Sequence, residues 1–259
     1  MSLTSCALNS NDTSLDNSDY AFKRKEAAKI NAKLAIQYIS INRLDIAKEK
    51  IDKALLEDDK APEVLNASAI FQSKLGNLDK AEYYFKQALL MDSNNPEIMN
   101  DYGVFLSIEK NEFESALLYL SKSYSNPLNT KIEISATNLA NTLAYKYRSK
   151  NLIIPDNELL RIRGFLDRAI SSNEQYSVAY LSFADILYYQ KLFPESRKYL
   201  LKYFELNNPD PVTLLLAIQI AIGNNNIVEK NNYEKILLTQ FPNSLQTKTY
   251  IKSLQEKNK

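Results

Sequence analysis

The sequence of 259 residues contains no histidine, a single cysteine and only four glycines. The absence of histidine removes the commonest general base and the commonest zinc ligand. A single cysteine, Cys6, excludes an internal disulfide and a cysteine-based metal cluster. Four glycines are too few for a glycine-rich loop that cradles phosphates. We therefore expect a protein that is not an enzyme and that uses no metal ion and no cofactor.

Charge of one sign and long apolar runs are also missing. The 32 basic and 31 acidic residues leave a net charge of +1, so no strong field attracts nucleic acid or an anionic bilayer. The longest apolar run, residues 212–222, is shorter than the roughly 18 residues that a membrane span needs. The apolar fraction of 45% is nevertheless enough for a sizeable core.

Carboxylates and tyrosines are abundant, but neither group predicts a catalytic or a nucleic-acid site. Asp185 is the nearest candidate for a catalytic acid, and we expect it to bind a backbone amide instead. Most of the 17 tyrosines, such as Tyr38, Tyr84 and Tyr102, fall at positions inside helix pairs. No basic groove accompanies them, as stacking on nucleic-acid bases would require. We expect no nucleic-acid partner and no small-molecule substrate.

An internal repeat is the strongest pattern that is present. The stretch RLDIAKEKIDKALL at 43–56 aligns without a gap on NLDKAEYYFKQALL at 77–90, at an offset of 34 residues. Small residues recur at fixed places, as Ala47 and Ala54 do at Ala81 and Ala88. A 34-residue period with small residues where helices approach closely is typical of the tetratricopeptide repeat, a pair of antiparallel helices stacked on its neighbours.

The period predicts an all-α fold, a right-handed α-α superhelix of six tetratricopeptide repeats with a C-terminal capping helix. The fourth repeat is irregular, with about ten extra residues, including NLIIPDNE, between its two helices. Residues 1–20 are expected to form a truncated signal segment and a flexible polar leader, and 21–259 a single repeat domain. The repeats are predicted at 28–61, 62–95, 96–130, 131–176, 177–210 and 211–244, with the capping helix at 245–257.

The first helix of each repeat is expected to line a groove that binds a protein segment. Polar groups at several of these positions suit a peptide backbone, and apolar ones are expected to form an exposed strip from Ile36, Ile70, Val104, Ile108 and Tyr188. The alternatives are that these side chains pack on the neighbouring helix, or that the leader folds over them. The predicted groove residues are Ile36, Ile39, Asn66, Ile70, Ser73, Asn100, Val104, Ile108, Asn141, Tyr145, Asp185, Tyr188 and Tyr189.

One familiar ligand of such grooves does not fit this sequence. Repeat proteins that hold the acidic C-terminus of a chaperone need Lys and Asn at two groove positions of their first repeat. Here those positions carry Ala32 and Ile36. Neither side chain can clamp a carboxylate.

Several stretches resemble one particular family, the outer-membrane lipoproteins of type IV pilus biogenesis that act as pilotins of the pilus secretin. The most specific stretch is NDYGVFL at 100–106, followed by EKNEFESA in the third repeat. The similarity runs in order along the chain, with six repeats in both. It continues with SVA at 177–179, ADILY at 184–188, PVTLLL at 211–216 and FPNS at 241–244.

The resemblance implies a bacterial protein on the periplasmic face of the outer membrane, anchored there by an N-terminal lipid. It implies a non-enzymatic assembly factor that binds the secretin subunit and promotes its outer-membrane localisation and multimerisation. The long fourth repeat and the tyrosine-rich fifth depart from the family pattern, which leaves the partner-binding surface open. The alternative is a soluble cytoplasmic repeat scaffold that binds an unrelated protein.

Cys6 distinguishes these two hypotheses. Leu3-Thr4-Ser5-Cys6 matches the lipobox, a leucine and two small residues before a cysteine that becomes acylated. Because MSLTS lacks the basic start and apolar core of a signal peptide, we expect that the chain is truncated or that its start is assigned too late. If the chain is produced as written, Cys6 stays a free thiol and the protein is soluble.

Overall fold

The computed structural model describes the backbone of residues 12–257 and the side chains of residues 18–256. Within this range it contains thirteen helices and no strand. The first six are α1 (Asp12–Ser40), α2 (Leu44–Glu57), α3 (Pro62–Lys74), α4 (Leu78–Met91), α5 (Pro96–Ile108) and α6 (Phe113–Tyr124). The others are α7 (Ile132–Arg148), α8 (Asp156–Ser172), α9 (Ser177–Tyr189), α10 (Phe193–Leu206), α11 (Pro211–Gly223), α12 (Ile227–Gln240) and α13 (Leu245–Lys257). The predicted all-α fold is confirmed.

The helices fall into two compact units, with the boundary between Leu128 and Asn129. In each unit consecutive helices pack in pairs, and we call the members of a pair its first and second helix. In unit 1 the first helices α1, α3 and α5 also pack on one another in that order, and in unit 2 α7 packs on α9 and α11 on α13. The single domain predicted over 21–259 stays a prediction.

The sequence sets the starts of several helices through proline and capping side chains. Pro62, Pro96 and Pro211 are the first residues of α3, α5 and α11, where a missing N–H costs nothing. The Asn95 side chain accepts hydrogen bonds from two backbone N–H groups at the start of α5. Asp210 and Thr213 form a capping box on α11. These signals fix where a first helix begins.

Each of the six turns between a first and a second helix contains one residue with positive φ. In the second turn the Gly76 N–H donates to the Ser73 carbonyl and the Asn77 N–H to the Gln72 carbonyl, which is a Schellman motif. Glycine and asparagine tolerate this conformation, and they occupy five of the six places. The six residues are Asn42, Gly76, Asn111, Asn151, Lys191 and Asn225.

The extra residues of the fourth repeat are distributed differently from the prediction. Helices α7 and α8 have 17 residues each, whereas α3, α5, α9 and α11 have 13 and α2, α4, α10 and α12 have 14. Only residues 149–155 between them are non-helical, and Ile154 in that connection is buried. The expectation that about ten extra residues separate the two helices is therefore wrong, because most of them extend the helices.

Helix α1 begins at Asp12, inside the segment predicted to be a leader. The leader prediction is therefore wrong for residues 12–20, although their composition is polar. An ion pair of 2.8 Å between Asp19 and Lys23, one turn apart, stabilises the helix there. Cys6, the predicted lipidation site, lies outside the described residues.

Candidate partner-binding groove

The apolar groove residues of unit 1 are more deeply packed than the sequence predicts. Ile39 is buried, and Ile36, Ile70 and Val104 are half-buried. Ile36 packs on a cluster formed by α1, α2 and α3, and Ile70 on clusters that α1 and α5 share with α3. Only Ile108 is largely exposed, at 57%. The predicted exposed strip is wrong for the other positions, because adjacent first helices lie close enough to cover them.

Polar groove residues of unit 1 converge on Asp101. The Asn66 amide nitrogen donates to Asp101 Oδ2 at 2.7 Å, and the Asn100 amide nitrogen donates to Asp101 Oδ1 at 3.3 Å. Asn66 and Asn100 are buried, and the Asn66 amide oxygen has no hydrogen-bond partner among the described residues. Asp101 therefore joins α3 to α5 and orients the amide groups predicted to bind a peptide backbone. Ser73, at the end of α3, is half-buried.

Behind this face, Tyr102 joins the third repeat to the second helix of the repeat before it. Burial and the nearby Glu82 carboxylate raise the pKa of the Tyr102 hydroxyl. Hydrogen bonds from Lys86 and Lys110 lower the pKa of Glu82. The Tyr102 ring also packs on Phe85 at a centroid distance of 5.3 Å. This network is structural, and it fixes α5 so that Asn100 and Asp101 face α3.

In unit 2, the Asp185 carboxylate is held by an arginine from the end of α7. Arg148, the last residue of α7, donates a hydrogen bond to Asp185 Oδ2 and places its guanidinium 5.1 Å from the centre of the Tyr189 ring. The Tyr189 hydroxyl donates to the Leu152 carbonyl at 3.2 Å. The extended end of α7 is thereby fastened to α9. Arg148 takes Asp185 Oδ2, and the expectation that Asp185 binds a backbone amide of a partner stays a prediction.

The remaining predicted residues of unit 2 are distributed over α7 and α9. Tyr188 is half-buried, packs on the cluster around Leu200 and Ala217, and lies 5.9 Å from the Phe193 ring. Asn141 on α7 is half-buried, and Tyr145 on the same helix is exposed. On α7 and on α9, tyrosines therefore lie beside polar groups, a composition common at protein interfaces.

Sequence reasoning missed Asp101, Arg148 and Leu152 as parts of these faces. Asp101 follows Asn100 directly in the sequence, and a carboxylate next to a predicted groove asparagine could have indicated that it binds the asparagine side chains. Arg148 and Leu152 had no comparable signal, because their contacts depend on the extra turn of α7. Within the part of the chain that the structure describes, no three His, Cys, Asp or Glu side chains are arranged to hold a metal ion. None of the described helices is long and apolar enough to cross a membrane.

Comparison with solved structures shows which proteins share this architecture. PilW, a type IV pilus biogenesis factor, superimposes with a TM-score of 0.72 at 24% identity, over 86% of this chain and 98% of PilW. PilF of Pseudomonas aeruginosa gives 0.65 at 22% identity, over 89% of this chain and 99% of PilF. YrrB, a tetratricopeptide-repeat protein with a peptide-binding site, gives 0.51 at 16% identity, over 78% of this chain and 97% of YrrB.

The chain has the tetratricopeptide-repeat fold. At these identities the likenesses show the fold alone. No family model and no curated protein sequence matches the chain. The fold is used mainly to bind other proteins, while the partner is decided by the side chains on the repeat surface.

Proposed function

We propose that this chain is a non-enzymatic assembly factor of type IV pilus biogenesis that binds the secretin subunit. Binding would promote the localisation of the secretin to the outer membrane and its multimerisation there. The observation that carries the proposal is the correspondence with PilW over 86% of this chain and 98% of PilW. The ordered resemblance of NDYGVFL and the later stretches to the pilotins supports it independently of the fold.

The groove faces supply the chemistry for holding a protein segment. In unit 1 the buried Asn66 amide oxygen is an acceptor without a partner, and such a group costs about 1–3 kcal/mol when left unsatisfied. An N–H donor from a bound segment would satisfy it after a small movement of the surrounding side chains. Ile108, exposed at the end of α5, offers an apolar contact farther along the same helix.

We further propose that Cys6 carries the lipid that holds the protein on the periplasmic face of the outer membrane. The support is the lipobox match at Leu3-Thr4-Ser5-Cys6, ahead of a repeat array like that of pilus biogenesis factors. Lipidation would cleave the Ser5–Cys6 peptide bond, attach a diacylglycerol to the Cys6 thiol and acylate the α-amino group that cleavage frees. The intact mass of the protein purified from its native membrane should therefore exceed the mass of residues 6–259 by a diacylglycerol and an acyl chain. A mass equal to that of the polypeptide alone contradicts lipidation.

The function is tested in a pilus-producing bacterium from which the gene has been removed. We expect secretin multimers to disappear from outer-membrane fractions and to return when the gene is supplied again. A Cys6→Ser version should restore fewer multimers than wild type at equal protein level. Unchanged secretin multimers in the deletion strain would contradict the proposal and favour the soluble scaffold.

A further inference from the structure

A pocket of about 410 Å³ opens in unit 2, between α11, the start of α12 and the last helix, α13. Its apolar wall consists of Ile222, Ile227 and Leu254. Tyr250 and Lys230 form another part of the wall, and both bind the Glu234 carboxylate, which holds their side chains in place. The volume lies in the range of ordinary ligand pockets. None of these residues belongs to the predicted groove set.

We call the contact of a helix pair with the next first helix a junction, so that α11, α12 and α13 form the last junction and α9, α10 and α11 the preceding one. In the preceding junction, the space that corresponds to the pocket is filled by side chains. Thirty-four residues earlier, Tyr188 and Phe193 stand where Ile222 and Ile227 stand in the last junction. The Phe193 ring lies directly on Gly223 of α11, so close that a Cβ at Gly223 would be 2.5 Å from it. Ile220, the equivalent of Leu254, is buried under this arrangement. Two aromatic rings therefore seal that junction.

The last junction lacks both rings. Ile222 is 42% exposed, Ile227 is 69% exposed, and Leu254 is also exposed. Isoleucine is smaller than tyrosine or phenylalanine and cannot reach across to α13. The pocket lies where the preceding junction holds its two rings, so the repeat correspondence favours an aromatic ring as its occupant. Glu234 also fastens Lys230 on α12 to Tyr250 on α13 and so links two sides of the pocket.

We propose that this pocket receives an aromatic side chain from a segment of the protein partner, which takes the place that Phe193 takes in the preceding junction. An aromatic anchor in a preformed pocket is a common source of binding energy at protein interfaces. The choice of a protein segment rests on the proposed function, in which the partner is the secretin subunit. The pocket would extend the predicted groove by one repeat, since Ile222 stands where the groove residue Tyr188 stands.

The pocket is tested with the full chain and two probes, N-acetyl-phenylalanine amide and N-acetyl-leucine amide. Methyl NMR should show shifts at Ile222, Ile227 and Leu254 with the aromatic amide and at least tenfold weaker binding of the leucine amide. Ile227→Phe, which restores the ring that Phe193 supplies in the preceding junction, should weaken binding of the aromatic amide at least tenfold. Ser253→Leu fills the pocket from the opposite wall and should have the same effect.

The matched control is Val228→Phe, since Val228 is next in the chain and 71% exposed. It lies outside the pocket wall, and binding of the aromatic amide should be unchanged. Equal binding of the two amides, or full binding to both filled variants when their thermal unfolding shows that they fold, would overturn the proposal. So would a dimer of the chain that Ile227→Phe abolishes, because the occupant would then be a second copy.

The partner arm uses purified secretin subunit. Wild type and Val228→Phe should capture it equally, and Ile227→Phe should capture it at least tenfold less. Capture that Ile227→Phe leaves unchanged would overturn the assignment to a segment of the secretin. If wild type itself fails to capture the secretin, the proposed function is wrong, and the amide measurements still decide whether the pocket binds an aromatic ring.

Discussion

At the residue scale, close packing between helices depends on a few positions where only a small side chain fits. Gly103 in α5 faces α6, and a Cβ there would be 2.7 Å from Leu120 Cγ and 3.1 Å from the Ala116 carbonyl oxygen. Leu120 and Ala116 are fully buried, so neither can move aside easily. Gly164 in α8 has open space around its Cβ position, so glycine is not required there.

Substituting these two glycines by alanine should therefore have opposite effects. Gly103→Ala should lower the free energy of unfolding by about 1–3 kcal/mol because it overpacks a rigid contact. Gly164→Ala should raise it by about 0.5–1 kcal/mol because alanine is the better helix former. Urea unfolding followed by circular dichroism measures both. A neutral Gly103→Ala would show that α5 and α6 do not approach so closely.

Lys191 is the exception among the residues with positive φ in the turns. It has φ of 60°, a conformation that costs a residue with a Cβ about 1–2 kcal/mol. Lys191→Gly should stabilise the protein by about 0.5–1 kcal/mol after the greater freedom of glycine in the unfolded chain is counted. The same substitution at Lys198, inside α10, should destabilise by about 1 kcal/mol. Thermal unfolding of both variants checks the pair, and equal signs would contradict the turn assignment.

At the element scale, charged pairs connect the second helices of unit 2. Arg163 of α8 binds Glu195 of α10 at 2.7 Å, and Arg197 of α10 binds Glu229 of α12 at 2.8 Å. Both pairs span 32 residues, and each is the other shifted by one repeat. The bound guanidinium lowers the pKa of the Glu195 and Glu229 carboxyls below their ordinary value of 4.5.

Because these carboxyl pKa values are lowered by folding, the stability that they contribute is present above pH 4.5 and is lost as pH falls through the folded values. Glu229→Gln should therefore lower the free energy of unfolding at pH 7, by about 1 kcal/mol or less since Arg197 is partly exposed. The difference from wild type should shrink towards pH 3. Urea unfolding across this range measures it.

The control for this pH dependence is Glu205→Gln, at an exposed pair with Lys202 within α10. Its effect on the free energy of unfolding should be smaller and should vanish in high salt. A Glu229→Gln effect that grows on acidification would contradict the role assigned to the Arg197 pair.

At the scale of the whole molecule, the sequence predicted the helix pairs because a 34-residue period constrains which side chains must be small. Ala47, Ala81 and Gly103 stand where the period requires them, and all three are buried at helix contacts. The period also predicted which residues of each first helix line the groove. It did not predict how deeply Ile36 or Ile70 is covered, because that depends on the distance between adjacent first helices.

The 34-residue period also cannot predict contacts that depend on irregular segments, because it describes only what the repeats share. The pairing of Arg148 with Asp185 requires the extra turn of α7, and no period places the end of an extended helix. The pocket at α13 depends on how far the side chains of Ile227 and Phe193 reach in three dimensions, which the 34-residue period does not determine. Repeats predict what is shared between modules, whereas binding surfaces arise where one module differs from the next.

The proposed contact between the groove face of this repeat protein and the secretin subunit can be tested with purified proteins. Its most direct test is the affinity of the purified chain for the purified secretin subunit, measured by calorimetry for wild type and two variants. Ile108→Asp alters the groove at a residue 57% exposed, and Leu118→Asp is the control on α6 at a residue 54% exposed. We predict that Ile108→Asp weakens binding at least tenfold and that Leu118→Asp leaves it unchanged. Equal binding by wild type and both variants, or no binding by wild type, would contradict the claim.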